Sequence, residues 1–202
     1  MGFSLELHTD PVVEEAMRNL RDALKKRGVR GLELEYEYHP HVTLGYLEGE
    51  PSEVAYDVVR TLAATIGVVP FTVGEVGIFR GADTSVMYMS LGQSRGLSAA
   101  HELAVRLIEA RLAPMGPLYQ RERWVPHFTL GERIPNEDIP LVSDVVREVQ
   151  HGRFPERGVL DRLALATDRP IVVVPMDLGR VLSLEGGFSE GIPPSHKIDR
   201  GR

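Results

Sequence analysis

One hexapeptide pattern, Pro-His-x-Thr-Leu-Gly, occurs twice in this chain, as Pro40-His41-Val42-Thr43-Leu44-Gly45 and as Pro126-His127-Phe128-Thr129-Leu130-Gly131. Histidine is scarce, at 7 of 202 residues, so two copies point to a duplicated structural unit rather than coincidence. Any fold for this chain must present both copies. If each lies in a strand, His41 and Thr43 share one face and Val42 and Leu44 the other, and the same holds for His127 and Thr129 against Phe128 and Leu130. The apolar pair is expected to pack under a helix while the polar pair lines a cleft. Gly45 and Gly131, on the parity of the histidines, are expected to leave room there for a ligand or for a close backbone approach.

The surrounding pattern supplies the elements. Residues 3–8 read as a strand, followed after Thr9-Asp10-Pro11 by apolar positions Val12, Val13, Ala16, Leu20 and Leu24 at helical spacing, with Thr9 or Asp10 as cap and Gly28 as stop. Residues 32–47 are strand-like, with Pro40 at a sheet edge or strand start. A helix is expected over 52–66, then a hairpin of 71–79 and 85–91 around Gly81-Ala82-Asp83. Leu97, Ala100, Leu103, Ala104, Leu107, Ile108 and Leu112 mark the next helix, which Pro114 and Gly116-Pro117 end. After the second motif come a helix over 138–149 and closing strands 159–166 and 171–174, with a turn at Asp168-Arg169-Pro170. Each half thus runs helix, motif strand, helix, two strands. The expected fold class is α+β: a bilobal, pseudo-twofold pair of antiparallel sheets with helices outside and a cleft carrying both motifs. Residues 1–185 are expected to form one bilobal domain and residues 186–202 a flexible tail.

Composition narrows the function. With 43% hydrophobic residues the chain can bury a real core, whereas a formal net charge of -6 disfavours a protein that grips extended nucleic acid through its phosphates. A small or terminal phosphate remains compatible. Without cysteine there is no disulfide framework, thiolate metal site or thiol nucleophile, and no apolar run spans a bilayer or reads as a signal. A cytoplasmic monomer without membrane contact is the expectation. Two imidazoles can divide general acid and general base work near neutral pH, and two threonine hydroxyls can donate to a phosphate between them.

The paired tetrads His41-Val42-Thr43-Leu44 and His127-Phe128-Thr129-Leu130 resemble the signature of the 2H phosphoesterase superfamily, the 2′-5′ RNA ligase or RNA 2′,3′-cyclic phosphodiesterase family, and the similarity in element order covers residues 3–184. The resemblance implies no metal or other cofactor. It implies a nucleotide or RNA-terminus substrate with a cyclic or 2′,5′ phosphodiester, opened by hydrolysis or transesterification. By the same resemblance His41 is the acid that protonates the leaving ribose oxygen, His127 the base that activates water, and Thr43 and Thr129 hold the nonbridging oxygens. Hydrolysis of 2′,5′-linked or cyclic oligonucleotide signals and noncatalytic nucleotide binding are the alternatives.

Other candidates follow from position. Arg133 shares strand parity with His127 and Thr129 and can reach a phosphate or base, although relatives often carry that arginine one position earlier, where this chain has Glu132. Tyr46 stands where relatives carry an aromatic that touches the nucleobase, but its parity sets it opposite His41, so stacking and core packing both remain open. Trp124 reads as a packing residue at the cleft edge, with ligand contact as the alternative. Arg121 and Arg123 make a basic rim or a solvated charged strand. His39 shares the face of His41 and is expected in a supporting or edge position; a metal site there lacks ligands at a recognised spacing. His8, His101, His151 and His196 are expected to be structural or exposed.

Overall fold

The computed structural model describes residues 2–32, 38–92, 94–167, 170–177, 180–182 and 188–190. The chain opens with strand β1 (Gly2–Thr9), helix α1 (Pro11–Lys26), motif strand β2 (His41–Glu48) and helix α2 (Glu53–Ile66). A long strand β3 (Val69–Arg80) turns into β4 (Thr84–Leu91), and helix α3 (Arg95–Arg111) leads to the second motif strand β5 (His127–Pro135). Helix α4 (Ile139–Arg153) precedes β6 (Arg157–Ala166), β7 (Pro170–Pro175) and two short strands, β8 (Arg180–Leu182) and β9 (Phe188–Glu190). The expected α+β class holds. Of the expected features, 33–37, Asp168, Arg169, 186–187, His196 and the rest of 191–202 lie outside the described residues, while β9, within the segment read as a tail, pairs with β8 ahead of it.

Capping and apolar spacing explain the helices. Asp10 caps α1 by accepting from Val12 N and Val13 N at 2.9 and 3.2 Å, and its other oxygen accepts from Val159 N at 2.9 Å, which ties the helix start to β6. Val13, Met17, Leu20 and Leu24 are buried, the period of one helical stripe. Gly28 then takes φ 85, the left-handed turn that glycine makes without a steric cost. Ser52 caps α2 and Ser94 caps α3 in the same manner.

Hydrogen bonding joins β1 to β7 in one antiparallel sheet, along the path β2-β1-β6-β3-β4-β5 with β7 also on β6, and β8 and β9 form a separate pair. The expected two sheets are therefore continuous. Residues Val69–Thr72 of β3 pair with β6, whereas its second half pairs with β4. The order of elements matches the sequence pattern, but the halves exchange strands: the hairpin β3–β4 comes after the first motif and pairs with the second motif strand, while β6 comes after the second motif and pairs with β1 beside the first. Alternation specifies which face a strand buries, not which neighbour it takes. Phe71 of β3 and Phe128 of β5 meet edge to face at 5.4 Å, both fully buried, which packs the two regions together.

Candidate active site

Both motif strands end the sheet path, β2 at one edge and β5 at the other, and they contact each other across a cleft. A cavity of about 630 Å³ there is lined by His41, Thr43, His127 and Thr129 together. Val42, Leu44, Phe128 and Leu130 are buried beneath, as alternation requires.

Each motif anchors its histidine identically. Nδ1 of His41 donates to the carbonyl of His39 at 2.8 Å and Nδ1 of His127 to that of Val125 at 2.6 Å, so both rings keep Nε2 for proton transfer. A second repeat lies one residue further upstream. Tyr38 OH donates to the carbonyl of Thr129 at 2.7 Å, and Trp124 Nε1 donates to the carbonyl of Thr43 at 2.9 Å. Each aromatic stands three residues before its own histidine and grips the opposite motif, a reciprocal clasp. Each is also backed by a buried polar side chain from the preceding helix: Arg21 of α1 lies 4.1 Å over the Tyr38 ring and donates to the carbonyls of Leu32 and Leu130, and His101 of α3 stacks on Trp124 at 3.9 Å. Burial pushes the His101 imidazole down to about 4, against the opposing pull of the Tyr119 carbonyl and Glu102.

The glycines do not face the cleft. Leu5 pairs with Gly45 and Glu6 with Thr43, so Leu44 is an extra residue on β2; Met87 pairs with Gly131 and Tyr88 with Thr129, so Leu130 is its counterpart on β5. Such a bulge reverses the parity of the residues after it. A Cβ on Gly45 would strike Met115 and one on Gly131 would strike Leu32 and Ile134, so both glycines serve close core packing. The reversal brings Tyr46 to the histidine face, 44% exposed, yet it lies over Gly2 beyond the residues that line the cavity. It likewise brings Glu132 to the cleft, where Arg133 also lines the wall because a further register shift occurs between β4 and β5.

Trp124 both packs and lines the cavity. Arg123 lines it too; Arg121 instead pairs with Glu102 at 2.8 Å, and residues 121–123 form a turn rather than a strand. His39 supports from the edge, with Nδ1 3.5 Å from Glu14 Oε1. His8 is buried, as a structural residue would be, and faces the site's outer layer, its ring stacked 5.9 Å from that of His41. Phe79, Tyr88 and Tyr119 had no sequence signal beyond aromaticity. Phe79 and Tyr88 hold their rings 5.2 and 4.9 Å from that of His127, and Phe79 and Tyr119 line the cavity. Burial, joined by the positive charge of His41, lowers the affinity of His127 for a proton against the opposing Val125 carbonyl. Among the described residues no three of His, Cys, Asp and Glu are placed to hold a metal ion, and no helix is long and apolar enough to cross a membrane.

Known proteins share parts of this sequence and this fold. A polyribonucleotide nucleotidyltransferase of Psychrobacter arcticus is 28% identical over 170 residues, 83% of this chain and 20% of that protein, so the chain spans about a fifth of the length of that curated relative. TT0787 of Thermus thermophilus has a TM-score of 0.57 at 17% identity, covering 88% of this chain and 96% of that one. E. coli LigT complexed with 3′-AMP has a TM-score of 0.51 at 14% identity, covering 86% and 96%. The likenesses to TT0787 and LigT show a shared fold. The profile of the 2′-5′ RNA ligase superfamily matches residues 49–169, more than half of the sequence and inclusive of the second motif, and the chain belongs to that superfamily, the 2H phosphoesterases.

Proposed function

We propose that this protein is a metal-independent phosphodiesterase that hydrolyses 2′,3′-cyclic phosphates, on RNA ends or small nucleotides, by dividing acid and base work between two histidines. The observation that carries the reading is the convergence of His41, Thr43, His127 and Thr129 on one cavity. His127, its affinity for a proton lowered by burial and by the charge of His41, takes a proton from water at Nε2. The water oxygen bonds to phosphorus in line with one ribose oxygen, that P–O bond breaks, and His41 Nε2–H protonates the departing oxygen. A phosphomonoester and a free hydroxyl result, and the two imidazoles have exchanged protonation states until solvent resets them. The Thr43 and Thr129 hydroxyls donate to the nonbridging oxygens as charge builds there.

The walls favour a short substrate. Phe79, Tyr119 and Trp124 give a nucleobase an apolar surface to stack on, while Arg123 and Arg133 supply positive charge. Glu132 sets a carboxylate beside them, which opposes a long polyanion. Incubating EDTA-treated protein with nucleoside 2′,3′-cyclic phosphates, a 2′,5′-linked dinucleotide and an RNA ending in a cyclic phosphate tests the proposal. Phosphomonoester products from the cyclic substrates, undiminished by chelation, are expected. Cleavage of the 2′,5′ linkage alone would shift the assignment to linked oligonucleotides, and loss on chelation restored by one metal would reject the two-histidine mechanism.

A further inference from the structure

The two motif histidines are alike in anchoring and unlike in what lies behind them. Behind His41 is Glu6, in the middle of β1, with 5% of its surface exposed and outside the residues that line the cavity. Its Oε1 accepts the Ser4 hydroxyl at 2.6 Å, its Oε2 accepts His8 Nε2–H at 3.0 Å, and Oε1 stands 3.5 Å from Nε2 of His41. Cross-strand pairing of Glu6 with Thr43 and His8 with His41 puts all four on one face. A buried carboxylate costs several kcal/mol unless it is paired and hydrogen-bonded. A strand position that a leucine would fill thus carries a charge directed at a catalytic candidate.

We propose that Glu6 is a positioning residue for His41: its carboxylate, locked by Ser4 and His8, holds the ring opposite a fixed negative charge and favours the proton-carrying imidazolium that the acid role requires. This rests on the phosphodiesterase reading above. At 3.5 Å the contact is longer than a good hydrogen bond, so Glu6 complements the charge without capturing the proton, and Nε2–H stays available to a leaving oxygen. Burial alone would raise Glu6, but the His41 charge and the hydrogen bonds from His8 and Ser4 outweigh it and hold the acid below its ordinary range. The carboxylate therefore persists at neutral pH.

The other groups facing this cluster are His8 on β1, His39 ahead of β2 with Glu14 of α1 and Arg162 of β6 behind it, Tyr119 near Glu6, and His127 across the cleft. His127 has Phe79 and Tyr88 where His41 has Glu6. Two copies of one motif are thus given opposite roles by their second layer.

The test is Glu6→Gln, which keeps the size and some hydrogen bonding but removes the charge. Ring titrations of His41 and His127 by NMR on substrate-free protein, with kcat and KM against pH for a nucleoside 2′,3′-cyclic phosphate, give independent readouts. Without the carboxylate opposite its Nε2, His41 should surrender its proton at lower pH than in the wild type, with His127 moving less. The alkaline limb of kcat should move down with it, kcat should fall about 10-fold and KM should change little. A folded variant with unaltered His41 titration overturns the proposal. A displaced titration in a protein that turns over no phosphodiester supports the Glu6–His41 coupling and rejects the phosphodiesterase reading instead. If Glu6→Gln does not fold, carbon-13 NMR of the wild-type Glu6 carboxyl should show an inflection where His41 titrates, and its absence overturns the proposal equally.

Discussion

His41 and His127 share one motif and one kind of Nδ1 anchor, so on the two-histidine reading the residue scale is where acid and base are told apart. Replacing either by alanine should cost about 100-fold or more in turnover, while circular dichroism stays native because Val42, Leu44, Phe128 and Leu130 hold the strands. Near-normal activity of either folded variant would refute a two-histidine reaction. Thr43→Val and Thr129→Val keep the β-branched shape and delete a donor, so each should lose about 10- to 100-fold in kcat with a smaller change in KM. Burial and the charge of His41 favour neutral His127, so its base form persists to lower pH than in a free imidazole. The acidic limb of kcat/KM should therefore lie below about 6.5, the ordinary histidine value. Phe79→Ala, which opens that ring to water, should move the limb upward; an unmoved limb would mean that burial by Phe79 does not tune the base. The four motif residues were legible because the motif repeats. Glu6 was not, because its partner His41 is brought beside it only by β1–β2 pairing.

Between elements, the clasp of Tyr38 and Trp124 ties the segment ahead of each motif to the opposite motif strand, and on the phosphodiesterase reading a shared phosphate site depends on the separation of those strands. Tyr38→Phe keeps the ring under Arg21 and removes the hydroxyl donor, and Trp124→Phe removes the indole N–H. Each lost bond should cost about 1 kcal/mol of stability, read as a lower Tm. If the clasp positions the strands, kcat should fall by about 10-fold in each variant while KM changes less. Lower Tm with unchanged kcat in both would confine the clasp to stability. An aromatic three residues before each motif histidine was visible in the sequence, but what it holds was not, since Thr129 and Thr43 lie in the opposite motif strand. The glycines teach the converse. Alternation assigned Gly45 and Gly131 to the cleft, and one extra residue per strand, set by register against β1 and β4, turned both into the core.

At the scale of the whole molecule, the exchanged strands make the two sequence halves mutually dependent. A fragment of residues 1–112 carries β4 without β5 and β1 without β6, and residues 113–202 carry the complements. Each alone should lack a cooperative thermal transition by circular dichroism, and mixing the two should restore one, because both need the other's strands to close their sheet edges. Independent cooperative folding of the first fragment would contradict the observed pairing. The sequence by itself determined the helices, the motif strands, the alternation that sets His41 and Thr43 against Val42 and Leu44, and the family resemblance, because propensity, capping and periodicity are local. Tertiary structure alone decided which strands pair, where the bulges fall, which aromatics clasp which carbonyls and which histidine faces a buried acid. Those outcomes depend on register between segments far apart in the chain, and local pattern carries no record of a distant partner.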